Sequence, residues 1–257
     1  MSQYTDHRGP RGLRTRGTVV VVPGRGETRA TYTRLGRRLA ADAYRVRVID
    51  GPHLATDASA EDPLPRLAAR IAAAIEGTAP DGGVARPVVL IGADTGAAAI
   101  ATLLGRSDLA APAARPDAVV LAGLPAPGAT VAGTWEEELD VRTACPAHRG
   151  TLTEDAEVGR GALNNAVPEA AVSAVYAGDV PVPALLLAGD ADPLTDRDAL
   201  ARAAKAVPRA RLSVVRGARH DVLNDVQHRS VAAEIVTFLE TLRNELVPLV
   251  TVESSAW

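Results

Sequence analysis

The chain has 257 residues, 47% of them hydrophobic and 23% charged, a length that predicts one large domain with a core that needs no covalent cross-links. Its single cysteine excludes an intrachain disulfide framework and a four-cysteine metal site. The net charge of −3 and the 3% aromatic content argue against a nucleic-acid partner, because phosphates need a basic surface and bases need aromatic stacking platforms.

Residues 1–16 are rich in arginine and contain no apolar run, so we predict a solvated, poorly ordered tail and no secretory signal. The longest uncharged stretch, 118–135, is interrupted by prolines and glycines and is therefore not a membrane-spanning helix. We expect a cytoplasmic protein that binds neither membranes nor nucleic acid.

Short apolar runs alternate with helical patterns along most of the chain. A continuous run such as Thr18–Val22 is typical of a parallel strand that is covered on both faces. The predicted strands are 18–22, 45–49, 87–91, 118–122, 184–188 and 211–215. The predicted helices are 30–42, 63–77, 95–105, 197–206 and 229–243. This alternation predicts an α/β fold with a mostly parallel sheet of about six strands and helices on both faces.

The alternation stops over residues 123–180, where no strand is predicted. Ligands of parallel sheets bind at the carboxyl ends of the strands. The loops that follow each predicted strand are therefore the places to look for functional residues.

The sequence Gly92-Ala93-Asp94-Thr95-Gly96 lies directly between a predicted strand and a predicted helix. A sharp turn of this kind holds its central residue at positive φ and needs small residues two positions away on either side. It would lift Asp94 into the crevice, with the N–H of Thr95 beside it. The alternative is that Asp94 only caps the helix that follows, which aspartate does well.

Two later strands are also followed by candidate residues. Asp192 lies in the loop Gly189–Pro193 and is suited to orienting a histidine, although Asp and Pro are common in any turn. His220 follows the last predicted strand and lies downstream of both carboxylates. His53, after the second strand, stays an alternative.

The loop Pro23–Glu27 is rich in glycine and follows the first predicted strand. The N–H of Arg25 would pair with that of Thr95 as an oxyanion hole. Phosphate binding is the alternative, but the loop lacks the P-loop lysine and the GxGxxG spacing. The Arg25 guanidinium is also suited to an anionic substrate group, and the sequence leaves this open.

The order of these motifs (glycine-rich loop, sharp turn, acid, histidine) resembles the α/β-hydrolase family over about residues 17–244. The segment PGRGETRATYTRLGRRLAADAYRVRVID is similar to the start of the monoglyceride-lipase and lysophospholipase-like branch. ALLLAGDADPLTD and VVRGARHDVLND resemble its acid and histidine segments. The resemblance implies that Asp192 and His220 are the triad acid and base.

The resemblance also divides the chain. It implies a core at 17–128 and 180–244, a small cap inserted at 129–179, and a C-terminal tail at 245–257. The chain departs from the family where Asp94 replaces the usual serine and where Pro-Gly replaces His-Gly in the oxyanion loop. It also has almost no sequence for the first two antiparallel strands.

An aspartate at this turn is suited to displacement at saturated carbon, which gives an alkyl ester that His220 and water then hydrolyse. The turn thereby resembles that of epoxide hydrolases and haloalkane dehalogenases. Their accessory groups are mostly missing, since Thr95 replaces the halide-holding tryptophan and the cap has one tyrosine, Tyr176, in place of two. Glu136–Glu138 are further acids of the cap.

Two other classes of function stay open. Asp94 is a candidate general base in a lyase, cyclase or isomerase, with secondary metabolism as one setting, and the chain is also a candidate non-catalytic binding protein. We expect a small-to-medium organic substrate and no cofactor. We also expect no metal, because the pair Cys145-x-x-His148 lacks enough ligands. The oligomeric state is open, with a homodimer among the options. Candidate substrate contacts are Gly24, Trp135, Cys145, His148 and Tyr176, with packing favoured for Trp135.

Overall fold

A computed structural model describes residues 3–52, 54, 62–106, 115–131 and 133–255 of the chain. Its strands are β1 (Tyr4–His7), β2 (Thr18–Val22), β3 (Arg45–Ile49), β4 (Val88–Ala93), β5 (Ala118–Ala122), β6 (Ala184–Gly189) and β7 (Ala210–Val215). Its helices are α1 (Thr33–Ala41), α2 (Leu64–Ile75), α3 (Thr95–Gly105), α4 (Trp135–Arg142), α5 (Pro146–Glu154), α6 (Glu169–Tyr176), α7 (Arg197–Ala206) and α8 (His228–Arg243).

The strands form a seven-stranded sheet in the order β1-β3-β2-β4-β5-β6-β7. Only β1 runs antiparallel to its neighbour among the strands that the structure describes. The six predicted strands are confirmed, and their ends differ from the prediction by at most two residues. The order places the carboxyl ends of β2, β4, β5, β6 and β7 along one edge, where a ligand site of a parallel sheet forms.

Helices cover both faces of the sheet, which explains why the central strands are apolar throughout. Val20 and Val22 pack into the cluster with α2, α3, α6 and α7, whereas Val19 and Val21 pack into the cluster with α1 and α8. Successive side chains of a strand point to opposite faces, so each face needs its own apolar partners. No helix in the described part of the chain is long and apolar enough to cross a membrane.

The predicted disordered tail is wrong over Tyr4–His7, which form the edge strand β1 against β3. Asp6 accepts two hydrogen bonds of 2.6 Å from Arg45, and the Arg47 guanidinium lies 4.3 Å from the centre of the Tyr4 ring. The strand is therefore held by polar and charged partners on a strand far along the sequence. A strand held in this way has no local apolar pattern from which it could be predicted.

The predicted cap boundaries at 129–179 also need correction. Helices α4 and α5 form a small cluster of their own around Leu152. Helix α6 instead packs Val172 and Val175 into the main core beside α3, and both side chains are fully buried. The inserted segment therefore ends before α6, which is a helix of the core.

Replacing Asp6 with alanine should destabilise the edge strand. The Arg47 side chain is only 4% exposed, and its guanidinium lies 3.7 Å from the Asp6 carboxylate. Because water hardly reaches this guanidinium, hydration would not readily replace the lost carboxylate. We expect the free energy of unfolding in denaturant to fall by about 1–2 kcal/mol. Arg8→Ala is the control, because Arg8 is 72% exposed and its ion pair with Asp6 lies at the surface. That control should cost less than about 0.5 kcal/mol, and equal effects of the two substitutions would contradict the analysis.

Candidate active site

Asp94 occupies a strained turn between β4 and α3, with φ of 47° and ψ of −117°. The turn needs glycine on both sides: a Cβ at Gly96 would lie 2.3 Å from the Val22 carbonyl oxygen, and one at Gly92 would lie 2.5 Å from the Ala97 nitrogen. The Asp94 side chain makes no capping hydrogen bond to α3. The helix-cap alternative therefore does not describe this residue, and its carboxylate is aimed elsewhere.

His220 lies between two carboxylates. Its Nε2 is 3.4 Å from Oδ1 of Asp94, and its Nδ1 is 3.0 Å from Oδ2 of Asp192. Asp192 is held in turn by the Thr195 hydroxyl at 2.7 Å and the Leu194 N–H at 2.9 Å. Burial opposes protonation of the His220 ring, but the two carboxylates outweigh it and raise its pKa to about 10. The ring is therefore an imidazolium at neutral pH.

Arg25 binds Asp94 with both its backbone and its side chain. The Arg25 N–H and Nε donate to Oδ2 of Asp94 at 2.8 Å each, and Nη2 donates to Oδ1 at 2.9 Å. Burial alone would raise the pKa of Asp94, but His220 and the Arg25 guanidinium hold it well below its usual range. The Asp94 carboxylate is therefore ionised and accepts bonds at both oxygens. Sequence reasoning found the Arg25 N–H but missed this bidentate pair.

The Arg25 guanidinium also separates Asp94 from a large groove. This groove has a volume of about 880 Å³ and is lined by Gly24, Arg25, Thr95 and the cap residue Asn165, among others, but not by Asp94. The Nη1 of Arg25 donates to the carbonyl oxygen of Asn165 at 2.5 Å. The carboxylate thus lies behind the arginine.

A buried arginine of the cap fixes the loops of Arg25 and His220. The Arg142 side chain is 1% exposed, and its Nη2 donates to the Arg25 carbonyl oxygen at 2.7 Å. Glu138 pairs with it at 2.8 Å and Asp221 at 3.5 Å. The backbone carbonyl of Arg142 also accepts the Asp221 N–H at 2.8 Å. Glu138 is among the acids that the sequence assigns to the cap, and its i, i+4 spacing from Arg142 on a helix is the signal from which their pairing could have been predicted.

Glu27, His148 and Asp221 form a second polar cluster behind Asp94. One potential metal-ligating atom of each residue lies within 4.8 Å of those of the other two. A histidine nitrogen and two carboxylate oxygens are ligand types found in small metal sites. His148 Nε2 lies 2.8 Å from Oδ2 of Asp221, and Glu27 accepts from the Gly24 N–H at 2.8 Å and from the Tyr32 hydroxyl. The Arg142 guanidinium already supplies a positive charge to Asp221. Burial and the Asp221 carboxylate raise the pKa of Glu27 to about 7.

Several predicted substrate contacts lie elsewhere. Trp135 packs on the cap cluster, with the Arg160 guanidinium 5.6 Å from its ring centre. The Tyr176 hydroxyl donates to the Pro125 carbonyl oxygen at 3.3 Å, and the buried Cys145 lies 3.6 Å from an Arg34 nitrogen.

Of the five candidate contacts, Gly24 lines the groove, whereas Trp135, Cys145, His148 and Tyr176 do not. Their types alone could not distinguish a buried cap residue from one that faces a ligand. His53 lies outside the described residues.

Comparisons with known proteins identify the family and the fold of the chain. A family model described as serine aminopeptidase, S33 matches residues 14–227. A monoacylglycerol lipase from Paleococcus ferrophilus is 20% identical, with a TM-score of 0.68 over 93% of this chain and 98% of that one. A soluble variant of monoglyceride lipase from Saccharomyces cerevisiae is 14% identical, with a TM-score of 0.71 over 93% and 91%. An enol-lactonase from Burkholderia xenovorans LB400 is 16% identical, with a TM-score of 0.63 over 92% and 95%.

No curated protein sequence matches the chain. The structural likenesses lie below 25% identity and concern the fold. Together with the family match they confirm the predicted α/β-hydrolase fold and its branch.

Glu27→Gln should change how stability depends on pH. Between the ordinary pKa of 4.5 and the raised value of about 7, the folded protein keeps a proton on Glu27 that the unfolded chain releases, so stability falls as pH rises through this window. Glutamine mimics the protonated side chain and should keep about 2 kcal/mol that the wild type loses as the pH rises through this window.

Denaturant unfolding at four pH values across this window measures the effect. Glu154→Gln, an exposed position on α5, is the control and should follow the wild-type profile. Parallel profiles for Glu27→Gln and wild type would show that Glu27 is ionised throughout.

Proposed function

The chain belongs to the serine aminopeptidase, S33 family of α/β hydrolases, and on this premise we propose that it is a hydrolase whose Asp94 carboxylate opens an epoxide or a comparable strained C–O bond. One observation carries the proposal. Oδ2 of Asp94 accepts the N–H of the oxyanion loop at 2.8 Å, while Oδ1 lies 3.4 Å from Nε2 of His220. Oδ2 is thus held as a carbonyl oxygen would be, and Oδ1 is the oxygen that attacks once Nη2 of Arg25, which binds it at 2.9 Å, has moved away.

The nature of the nucleophile selects the bond that is broken. A carboxylate that attacked an ester would give a mixed anhydride, whereas attack at saturated carbon gives an ordinary alkyl ester. Thr95 follows Asp94 at the position where haloalkane dehalogenases have the tryptophan that holds the halide. An oxygen leaving group, which needs a proton and no halide site, therefore fits these residues better.

In the first step Oδ1 of Asp94 attacks a ring carbon and the C–O bond of the epoxide breaks. The released oxygen takes the Nε2 proton of His220, which the two flanking carboxylates keep charged. The imidazolium thereby takes the acid role that a pair of cap tyrosines has in epoxide hydrolases. The products of the step are a neutral hydroxyalkyl ester of Asp94 and a neutral imidazole.

The second step uses the same ring as a base. Once Asp94 is an ester, His220 has lost one of its two anionic neighbours, so its pKa falls and it accepts a proton from water. The hydroxide adds to the ester carbonyl carbon, and the charge on Oδ2 is stabilised by the N–H groups of Arg25 and Thr95. The tetrahedral intermediate then collapses and releases the diol. Of the two protons of the attacking water, one ends on the diol and one on His220, so Asp94 is again a carboxylate.

The contacts of Asp94 favour a nucleophile over a general base. The loop N–H holds Oδ2 at 2.8 Å, as it would hold the carbonyl oxygen of an ester intermediate, and a general base needs no such donor. The non-catalytic alternative has one observation in its favour, namely that the Arg25 guanidinium covers Asp94. Ligand binding without turnover would follow if that pair never opened.

His220→Gln should trap the first intermediate. The variant lacks the base for the second step, so incubation with glycidate, glycidamide or styrene oxide should leave a mass increase equal to the epoxide on the peptide that contains Asp94. The loss of the acid should also slow ring opening by about 10²–10³-fold, so the incubation must be long. Asp94→Asn is the matched control and should show no adduct, because an amide is a poor nucleophile.

Wild-type turnover in H₂¹⁸O gives an independent measurement. Attack of water on the ester carbonyl should place ¹⁸O in the Asp94 carboxylate, which peptide mass spectrometry detects. Turnover without label in Asp94 would favour the general-base mechanism, and binding without turnover would favour the non-catalytic one.

A further inference from the structure

The Arg25 side chain is the obstacle between a groove-bound molecule and Asp94. Its guanidinium lines the groove, whereas Asp94 does not and borders a separate small cavity together with Tyr32, His220 and Asn224. Asp94 and Arg25 are 7% and 8% exposed in their side chains. A substrate in the groove therefore meets the arginine first, and the nucleophile is reached only when the guanidinium turns away.

We propose, as an extension that rests on the proposed function, that the substrate carries an anionic group next to its reacting carbon and that this group takes the Arg25 guanidinium from Asp94, which frees the nucleophile. The substrate class is thus an epoxide with a carboxylate, or a similarly placed phosphate. Arg25 would both recognise the substrate and keep Asp94 covered in its absence.

Charge decides which groups can make this exchange. Breaking a buried arginine–carboxylate pair without replacement is strongly unfavourable, because both ions stay out of water. An incoming carboxylate offers the same two acceptor oxygens to the planar guanidinium, so the arginine loses nothing. The His220 imidazolium remains 3.4 Å from Asp94 and compensates its charge. A neutral group supplies neither the charge nor the paired acceptors.

The loop is built so that the side chain can move while the backbone stays. The Arg25 carbonyl accepts from Arg142 at 2.7 Å, and the Gly26 carbonyl accepts the Gly159 N–H at 2.9 Å. These bonds hold the Arg25 N–H at Oδ2 of Asp94. Besides Asp94, the guanidinium donates to the carbonyl oxygens of Ala129 and of Asn165, which lines the groove. Turning the guanidinium toward the groove changes side-chain torsions alone and leaves the Arg25 N–H at the oxyanion site.

Distances restrict where the anionic group sits on the substrate. The guanidinium nitrogens bind Asp94 at 2.8 and 2.9 Å, and an attacked carbon must come within about 3–3.5 Å of Oδ1. An anionic group that takes over the guanidinium therefore lies close to the reacting carbon, as the carboxylate of glycidate does. Asp155 and Glu157 also line the groove, so the rest of the substrate gains nothing from further negative charge.

Binding can be tested without any reaction. Cyclopropanecarboxylate has the shape and charge of glycidate but no epoxide, and cyclopropanecarboxamide is its neutral counterpart. Calorimetric titration of the wild type should show at least about 10-fold tighter binding of the carboxylate, and Arg25→Gln should abolish this preference. Arg29→Gln is the matched control, since Arg29 lines the same groove but pairs with Asp50 at 3.0 Å. That control should keep the preference, and a preference that survives Arg25→Gln would overturn the proposal.

Alkylation of Asp94 separates this proposal from the proposed function. In the His220→Gln protein, glycidate should label Asp94 at least about 10-fold faster than glycidamide, after each rate is divided by that epoxide's rate with acetate. Adding Arg25→Gln should remove the advantage of glycidate and speed the labelling by glycidamide. A thermal unfolding scan checks that each variant is folded, and Arg25→Lys should keep part of the preference because it keeps the charge without the planar fork.

The outcomes are distinct. Equal labelling by both epoxides with Arg25 present would overturn the release by an anion and leave the Asp94 nucleophile standing. Labelling by neither epoxide, with carboxylate binding that still depends on Arg25, would overturn the nucleophile and leave Arg25 as the anion site.

Discussion

The buried guanidinium of Arg142 is the contact on which the arrangement of the site depends. It lies in the cap helix α4 and donates to the carbonyl of Arg25, while the neighbouring backbone of the same helix binds the loop of His220. Two loops that follow different strands are thereby set against one another by one helix. The inserted segment is for this reason part of the active-site scaffold. Loss of the Arg142 guanidinium alone would leave the buried carboxylates of Glu138 and Asp221 without this cation.

Charge balance explains how so polar a centre is stable in the interior. Asp94 and Asp192 face the guanidinium of Arg25 and the imidazolium of His220, so two anions meet two cations in alternation. Each ion also keeps directional hydrogen bonds, which is the condition under which buried ion pairs are tolerated. A reaction that neutralises Asp94 upsets this balance, and the imbalance is relieved by release of a proton from His220. The proton transfer at His220 and the charge balance of the site therefore depend on the same four groups.

The sequence predicted those parts of the molecule that depend on local pattern. The apolar runs located six strands because buried parallel strands need apolar side chains on both faces, and the loops after them located Asp94, Asp192 and His220. It did not predict β1 or the contacts of Arg142, because each depends on polar partners brought together only by the fold. The side chain of Arg25 was left open, since the same residue type serves an anionic ligand and an internal carboxylate equally well.

The pairing of Arg25 with Asp94 also constrains how the chemistry of this fold can change over evolutionary time. A serine at position 94 would leave a buried guanidinium facing a hydroxyl, with no carboxylate to neutralise it, so the first mutational step toward acyl transfer would lower stability before it changed the reaction. A neutral residue at position 25 would in turn leave Asp94 with a single cation. Positions 25 and 94 are therefore expected to change together, so that the residue at one position predicts the residue at the other in a related sequence.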